Sequence, residues 1–252
     1  CVKKRASDLH LTENEPPIYR IDGKLHRHEA ISLTRDAIKK MIYGVLTDTQ
    51  KEMFERDLEL DFSLALPNLD RFRVNIHMQK GSVEGAFRRI PLEIPNIETL
   101  GLPPVVLDLA RRPNGLVLVT GPTGVGKTTS LASVINLINN ERECLLITIE
   151  DPIEFIYTNK KAIIKQREVY ADTHSFSEAL RHCLRQDPNV IVVGEMRDLD
   201  TISTTLTAAE TGHLVLATLH TPDAPQTIGR IIDVFPPHQQ QPPGAVAQDH
   251  AR

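Results

Sequence analysis

The residues with the clearest chemistry are Gly121, Pro122, Thr123, Gly124, Val125, Gly126, Lys127 and Thr128, which fit the pattern G-x-x-x-x-G-K-[ST]. Their three glycines let the backbone curl so that successive N–H groups face inward as an anion cradle. The apolar run Gly115-Leu-Val-Leu-Val-Thr120 before them reads as a buried strand. After them Leu131, Val134, Ile135 and Ile138 recur at helical spacing, so a helix N-terminus adds its partial positive charge at the same spot. Strand, glycine-rich turn and helix together form a site for the phosphates of a nucleoside triphosphate. Lys127 is placed to reach the β- and γ-phosphates and the Thr128 hydroxyl to ligate Mg²⁺, with Thr129 completing the nucleotide-contacting run. The alternative is a plain glycine turn, and the flanking strand and helix argue against it.

Three further stretches carry polar chemistry at the ends of apolar runs. Ile147-Thr-Ile-Glu150-Asp151-Pro152-Ile-Glu154 places three carboxylates where a strand ends, either to hold Mg²⁺ or orient a water, or as a solvated strand end. Val190-Ile-Val-Val-Gly194-Glu195-Met-Arg197-Asp198 is an apolar strand ending in an acid, the logic of a Walker B element, with Glu195 beside the loop lysine as a Mg²⁺ ligand through water. A structural ion pair with Arg197 is the competing reading of Glu195. His213 and His220 bracket a third run, Leu214–Leu219. They lack the company expected of zinc ligands, and His220, just past the strand, suits a nucleotide-sensing role. Arg71, Arg73, Arg88 and Arg89 on two neighbouring strands are either a solvated sheet face or phosphate ligands.

The elements that must position these residues fall into four segments. Residues 1–90 read as a small α+β unit: a strand over Ala6–Leu11, a hairpin across Asp22-Gly23, and a helix capped by Ser32 or Thr34 with Ile38, Met41 and Ile42 on one side. A second helix comes next, capped at Thr47-Asp-Thr-Gln50, and then two period-two strands. One strand carries Leu60, Phe62, Leu64 and Leu66 on one face, the other Phe72, Val74, Ile76 and Met78, with the turn at Pro67-Asn68; a last strand spans Gly85–Ile90. Residues 91–113 hold five prolines around a short helical segment, Val105–Arg111, and read as a linker. Residues 114–238 alternate strand and helix, which predicts a parallel sheet with ligands at the strands' carboxyl ends. Residues 239–252 are Pro/Gln-rich without apolar periodicity and read as disordered.

Composition narrows the class. The 252 residues are 40% hydrophobic and 25% charged, ordinary for a globular protein. A net charge of −4 and a pI near 6.2 give no global pull toward nucleic acid. No run approaches the roughly 18 apolar residues of a spanning helix, and the three cysteines show no C-x-x-C pairing. Sparse cysteine suits a reducing cytosol. The first residue is Cys, which reads as a fragment.

The four chemical stretches, in this order, resemble the Walker A, Asp box, Walker B and His box of the type II/type IV secretion ATPase superfamily. Ala6-Ser-Asp-Leu-His-Leu, Phe72-Arg-Val-Asn, Glu150-Asp-Pro-Ile-Glu-Phe, Gln166-Arg-Glu-Val, Gly194-Glu-Met-Arg-Asp and Ala208-Ala-Glu-Thr-Gly-His-Leu resemble its type IV pilus retraction branch in particular. The resemblance implies an α/β fold with a RecA-like P-loop ATPase core and an N-terminal PAS-like α+β domain. It also implies a Mg²⁺-dependent ATPase, cytoplasmic and peripheral at the inner membrane, that forms a homohexamer, engages the pilus inner-membrane platform and powers twitching motility without nucleic acid. Carried over residue by residue, it makes Lys127 and Thr128 the phosphate and Mg²⁺ ligands, Glu154 the catalytic base and Glu195 the Walker B acid. His213 and His220 become the His-box pair, and Arg73 and Arg88 the arginines presented to nucleotide. Lys80, Gln186 and Asn189 depart mildly from the family pattern. The family continues with a helical C-terminal domain where this chain turns to Pro/Gln sequence, so the ATPase segment reads as truncated. Two rivals stay open: a motor for pilus extension or type II secretion, and a truncated nucleotide-binding subunit with little turnover.

Overall fold

A computed structural model describes residues 1–29, 31–66, 71–90 and 93–236. The fold is mixed α/β, and the chain divides into two compact units: Cys1–Glu93 with Glu154–Ile156, and Ile94–Ile153 with the residues from Tyr157 on. The division falls near the start of the proline-rich stretch 91–113, and most of that stretch, from Ile94 on, belongs to the second unit. The Pro67-Asn68 turn and the tail expected over 239–252 lie outside the described residues.

The first unit is a six-stranded antiparallel sheet backed by two helices. Its elements are β1 (Asp8–Leu11), β2 (Ile18–Ile21), β3 (Lys24–Arg27), α1 (Arg35–Tyr43), α2 (Asp48–Asp57), β4 (Glu59–Ala65), β5 (Arg71–Gln79) and β6 (Ser82–Ile90), after a short 3₁₀ turn at Val2–Lys4. Strand order is β3-β2-β1-β6-β5-β4. Asp22 and Gly23 both take positive φ (48° and 78°), as the tight primed turn of a two-residue hairpin requires. Thr34 caps α1 through the Ala37 N–H, and Thr47 with Gln50 forms the full capping box of α2.

Ile38, Ile42 and Phe54 from the helices pack on Phe62, Phe72, Val74, Ile76 and Phe87 from one sheet face. Met41 and Met78, expected on the buried sides, are exposed. In α1 the buried stripe is i, i+4 through Ile38 and Ile42, which rotates Met41 outward.

The second unit begins with α3 (Ile97–Leu100) and α4 (Val105–Ala110), which pack on α5 (Lys127–Glu141) rather than forming a free linker. Then β7 (Gly115–Thr120), β8 (Leu145–Glu150), β9 (Ile163–Glu168), β10 (Val190–Val193) and β11 (Leu214–Leu219) build an all-parallel sheet in the order β7-β11-β10-β8-β9. α6 (Phe176–Cys183), α7 (Leu199–Glu210) and α8 (Ala224–Val234) complete the unit. Alternate strand residues face opposite layers. Ile147, Ile149, Ile191, Val193, Val215 and Ala217 meet Leu180 and Ile202, whereas Leu146, Val190, Val192, Leu214 and Leu216 meet Leu131, Ile135 and Ile138. Both faces are covered, which is why these runs read as continuously apolar. β9 escaped the sequence reading because Lys165, Gln166 and Arg167 break its apolar pattern at the sheet's edge.

Ile191 is fully buried on the central strand, so Ile191→Ala should cost about 2–5 kcal/mol, read as a lower urea midpoint at unchanged m. Burial pushes the Cys183 thiol up to about 11, with Arg167 opposing. Maleimide labelling of the native protein should therefore spare Cys183, and mass-spectrometric peptide mapping should find it modified only after denaturation.

Candidate functional site

The site lies where β7, β11 and β10 run side by side and end together. The backbone turns after β7 with Gly121, Gly124 and Gly126 all at positive φ (145°, 83° and 99°). At Gly121 a Cβ would also stand 2.8 Å from Val125 Cγ1, closer than real contacts allow. α5 starts at Lys127, directly behind Gly126, so the loop feeds its N–H groups into a helix N-terminus. This is a cradle for an anion, and its chemistry fits a phosphate chain.

Lys127 is buried at 8% exposure, and its ammonium donates to the carbonyls of Gly121 (2.8 Å) and Pro122 (3.1 Å). His220 leaves the end of β11 next door, with Nδ1 3.4 Å from Lys127 Nζ and 3.4 Å from Thr123 Oγ1. Its other nitrogen, Nε2, lies 3.5 Å from Glu195 Oε2. An ammonium has only donors and a carboxylate only acceptors, so the surroundings favour Nδ1 as the acceptor and Nε2–H as the donor.

Glu195 is held by its neighbours' backbones. The Gly194 N–H donates to Ile149 O on β8 (2.8 Å), and the Met196 N–H donates to Thr218 O on β11 (3.1 Å). The Thr218 hydroxyl donates to Gly194 O. A Cβ at Gly194 would sit 3.0 Å from Ile149 O and 3.3 Å from Glu150 Cα, so the approach of β8 favours glycine there. The Glu195 side chain is 13% exposed, and its Oε1 pairs with Arg197. That hydrogen bond raises the Arg197 pKa above its ordinary value against partial burial, with Asp151 and Tyr170 adding. Of the sequence readings of Glu195, the ion pair with Arg197 is present, and the other carboxylate oxygen faces His220 beside the glycine loop.

The structure brings Thr123, Lys127, His220 and Glu195 together, and Thr128 comes after Lys127 on the first turn of α5. It does not add His213 to them. His213 precedes β11, at the opposite end from His220, and its Nδ1 lies 2.9 Å from Ala208 O at the end of α7. A six-residue strand separates the two histidines by about 20 Å. Among the three acids after β8, Glu150 accepts from Thr148 Oγ1 (2.6 Å) and Gln166 Nε2 (3.2 Å), which ties it into the strand edge. Glu154 lies in the 154–156 stretch that groups with the first unit. Arg73 and Arg88 also belong to the first unit, directly opposite each other on β5 and β6. Thr218 and Gln166 were not singled out as site residues from sequence, since a threonine inside an apolar strand and a glutamine on an edge strand carry no chemical signal alone.

The chain matches the family model described as type II/IV secretion system protein over residues 1–238, and it belongs to that family. It is 49% identical to the type IV pilus retractation ATPase PilT of Pseudomonas aeruginosa, covering 94% of this chain and 69% of that protein. It is 46% identical to a twitching motility protein of Neisseria gonorrhoeae, covering 89% of this chain and 60% of that one. A solved structure of the pilus retraction motor PilT with bound ADP superposes at a TM-score of 0.91 with 50% identity, covering 95% of this chain and 70% of that chain.

Gly121→Ala should weaken nucleotide binding without unfolding the protein, because the added Cβ meets Val125 and φ of 145° suits only glycine. Titration with a fluorescent ADP analogue should show at least a roughly 10-fold weaker Kd, with the circular dichroism spectrum unchanged.

Proposed function

We propose that the chain is the ATP-binding and ATP-hydrolysing part of a motor that retracts type IV pili. The observation that carries this reading is the line Lys127–His220–Glu195 beside a glycine cradle, in a chain about half identical to a retraction ATPase. On this reading the second unit is a RecA-like P-loop core and the first a PAS-like domain. The loop from Gly121 to Thr129 takes the phosphates, with Lys127 neutralising the outer ones as their charge develops.

Mg²⁺ would be held by the Thr128 hydroxyl and the Glu195 carboxylate, which are the hard oxygen donors such an ion takes. When bound, it would supply charge neutralisation for the phosphates. Glu154 is assigned as the base that orients the attacking water, and Arg73 and Arg88 as phosphate ligands. His220 reads the state of the phosphate site, since its two nitrogens already face Lys127 and Glu195. His213 is assigned to closing α7 rather than to chemistry. Assembly as a homohexamer, engagement of the pilus inner-membrane platform and a cytoplasmic, peripheral location are inferred from the relatives' roles. Among the described residues no helix is long and apolar enough to cross a membrane.

Steady-state ATPase assays test the reading. Glu154→Gln and Glu195→Gln should each lower kcat by at least about 100-fold while an ADP analogue still binds. Lys127→Ala should lose binding as well. Wild-type turnover at background, with binding intact, would favour a nucleotide-binding subunit instead. His220→Ala should lower kcat by roughly 10-fold or more, and His213→Ala should leave kcat near wild type while lowering the thermal midpoint.

A further inference from the structure

Asp8 is a buried carboxylate on the polar face of the first unit's sheet, in a cross-strand row whose other three members are arginines. Cross-strand register puts Arg20, Asp8, Arg88 and Arg73 in one row across β2, β1, β6 and β5. The Asp8 side chain is 9% exposed, and the Arg88 side chain 70% exposed. Arg88 Nε donates to Asp8 Oδ1 at 2.9 Å, the Ser7 hydroxyl donates to Oδ2 at 2.8 Å, and Arg20 Nε stands 3.7 Å from Oδ2.

An arginine held by its Nε–H alone keeps both terminal amino groups for a forked contact with an anion. Arg73, directly opposite Arg88, has no ion-pair partner among the described residues. Two guanidinium groups facing each other across a strand pair repel, and a shared anion relieves this.

We infer that Asp8 is a positioning residue: it fixes the Arg88 guanidinium by its Nε–H so that the amino ends, beside Arg73, engage a phosphate. This rests on the assignment of Arg88 as a phosphate ligand made above. Burial raises the Asp8 pKa, but the Ser7 and Arg88 hydrogen bonds outweigh it and hold the carboxyl below its ordinary value. The Asp8 carboxylate therefore stays charged throughout the neutral range. Asp8 adds stability above the ordinary carboxylate pKa, and that stability is lost as pH falls through its own lower value.

The test is a double-mutant cycle on the full chain, with kcat and KM for Mg·ATP and the thermal midpoint measured for each variant. Asp8→Asn is expected to lower kcat by roughly 10- to 100-fold with KM within about twofold, as a misplaced charged group does. Arg88→Ala should lower kcat at least as far, and the double variant should be no worse than Arg88→Ala alone. Additive losses, or a normal kcat in Asp8→Asn when Arg88→Ala is impaired, would overturn the positioning role and leave Arg88 as ligand standing. A normal kcat in Arg88→Ala would sink the ligand assignment itself, and this inference with it. If Asp8→Asn does not fold, Arg88→Lys decides. It keeps the charge but has no Nε–H, so it should be as impaired as Arg88→Ala, and near-normal turnover would overturn the inference.

Discussion

A buried ammonium governs the second unit. Lys127 is almost enclosed, and a charge in that position is costly unless oxygen or nitrogen acceptors surround it. Two carbonyls of its own loop and the Nδ1 of His220 supply them. That arrangement depends on three neighbouring parallel strands ending at one level. β7 delivers the loop, β11 the histidine and β10 the acid, and their register holds the chain ends within hydrogen-bond reach. The helices on both faces keep water from the ladder, which is what allows the strand interiors to be largely apolar while the strand tips are polar.

Glu195 shows how the backbone sets the side chain. Its flanking residues are bonded to β8 on one side and β11 on the other, so its carboxylate has little freedom of direction. Arg197 and His220 then each face one of its two oxygens. Positional rigidity of this kind is what electrostatic stabilisation of a transferring phosphoryl group requires, because donors and acceptors must already point where charge will develop. The proposed function therefore leans on the site as well as on family membership, since one fold supports many chemistries and the chemistry resides in the site.

The first unit divides its antiparallel sheet between two tasks. One face holds a core of Ile, Val and Phe under two capped helices, and the other is left polar. Period-two alternation puts Arg20, Asp8, Arg88 and Arg73 on that second face, and strand register sets them side by side. A single buried carboxylate amid the row gives one arginine a defined direction.

Much of this was legible from residue order because it is local. The glycine loop needs positive φ, the Asp-Gly hairpin needs a primed turn, and Thr47 with Gln50 needs only three residues to form its box. The apolar runs of β8, β10 and β11 announce strands buried on both faces, and the run of β7 a half-buried strand beside them. What local pattern could not carry was strand order. Reading Glu195 as the direct neighbour of Lys127 overlooked β11 between them, and it is this insertion that makes His220 the bridge. The same strand parts His213 from His220, two residues that look like a pair in sequence. β9 and α3 went unread because an edge strand and a four-residue helix bury too little to show periodicity. Residue types determined which chemistry the chain carries; the hydrogen-bonded order of the sheet decided which of those groups meet, because contact across strands depends on pairing that no single stretch contains.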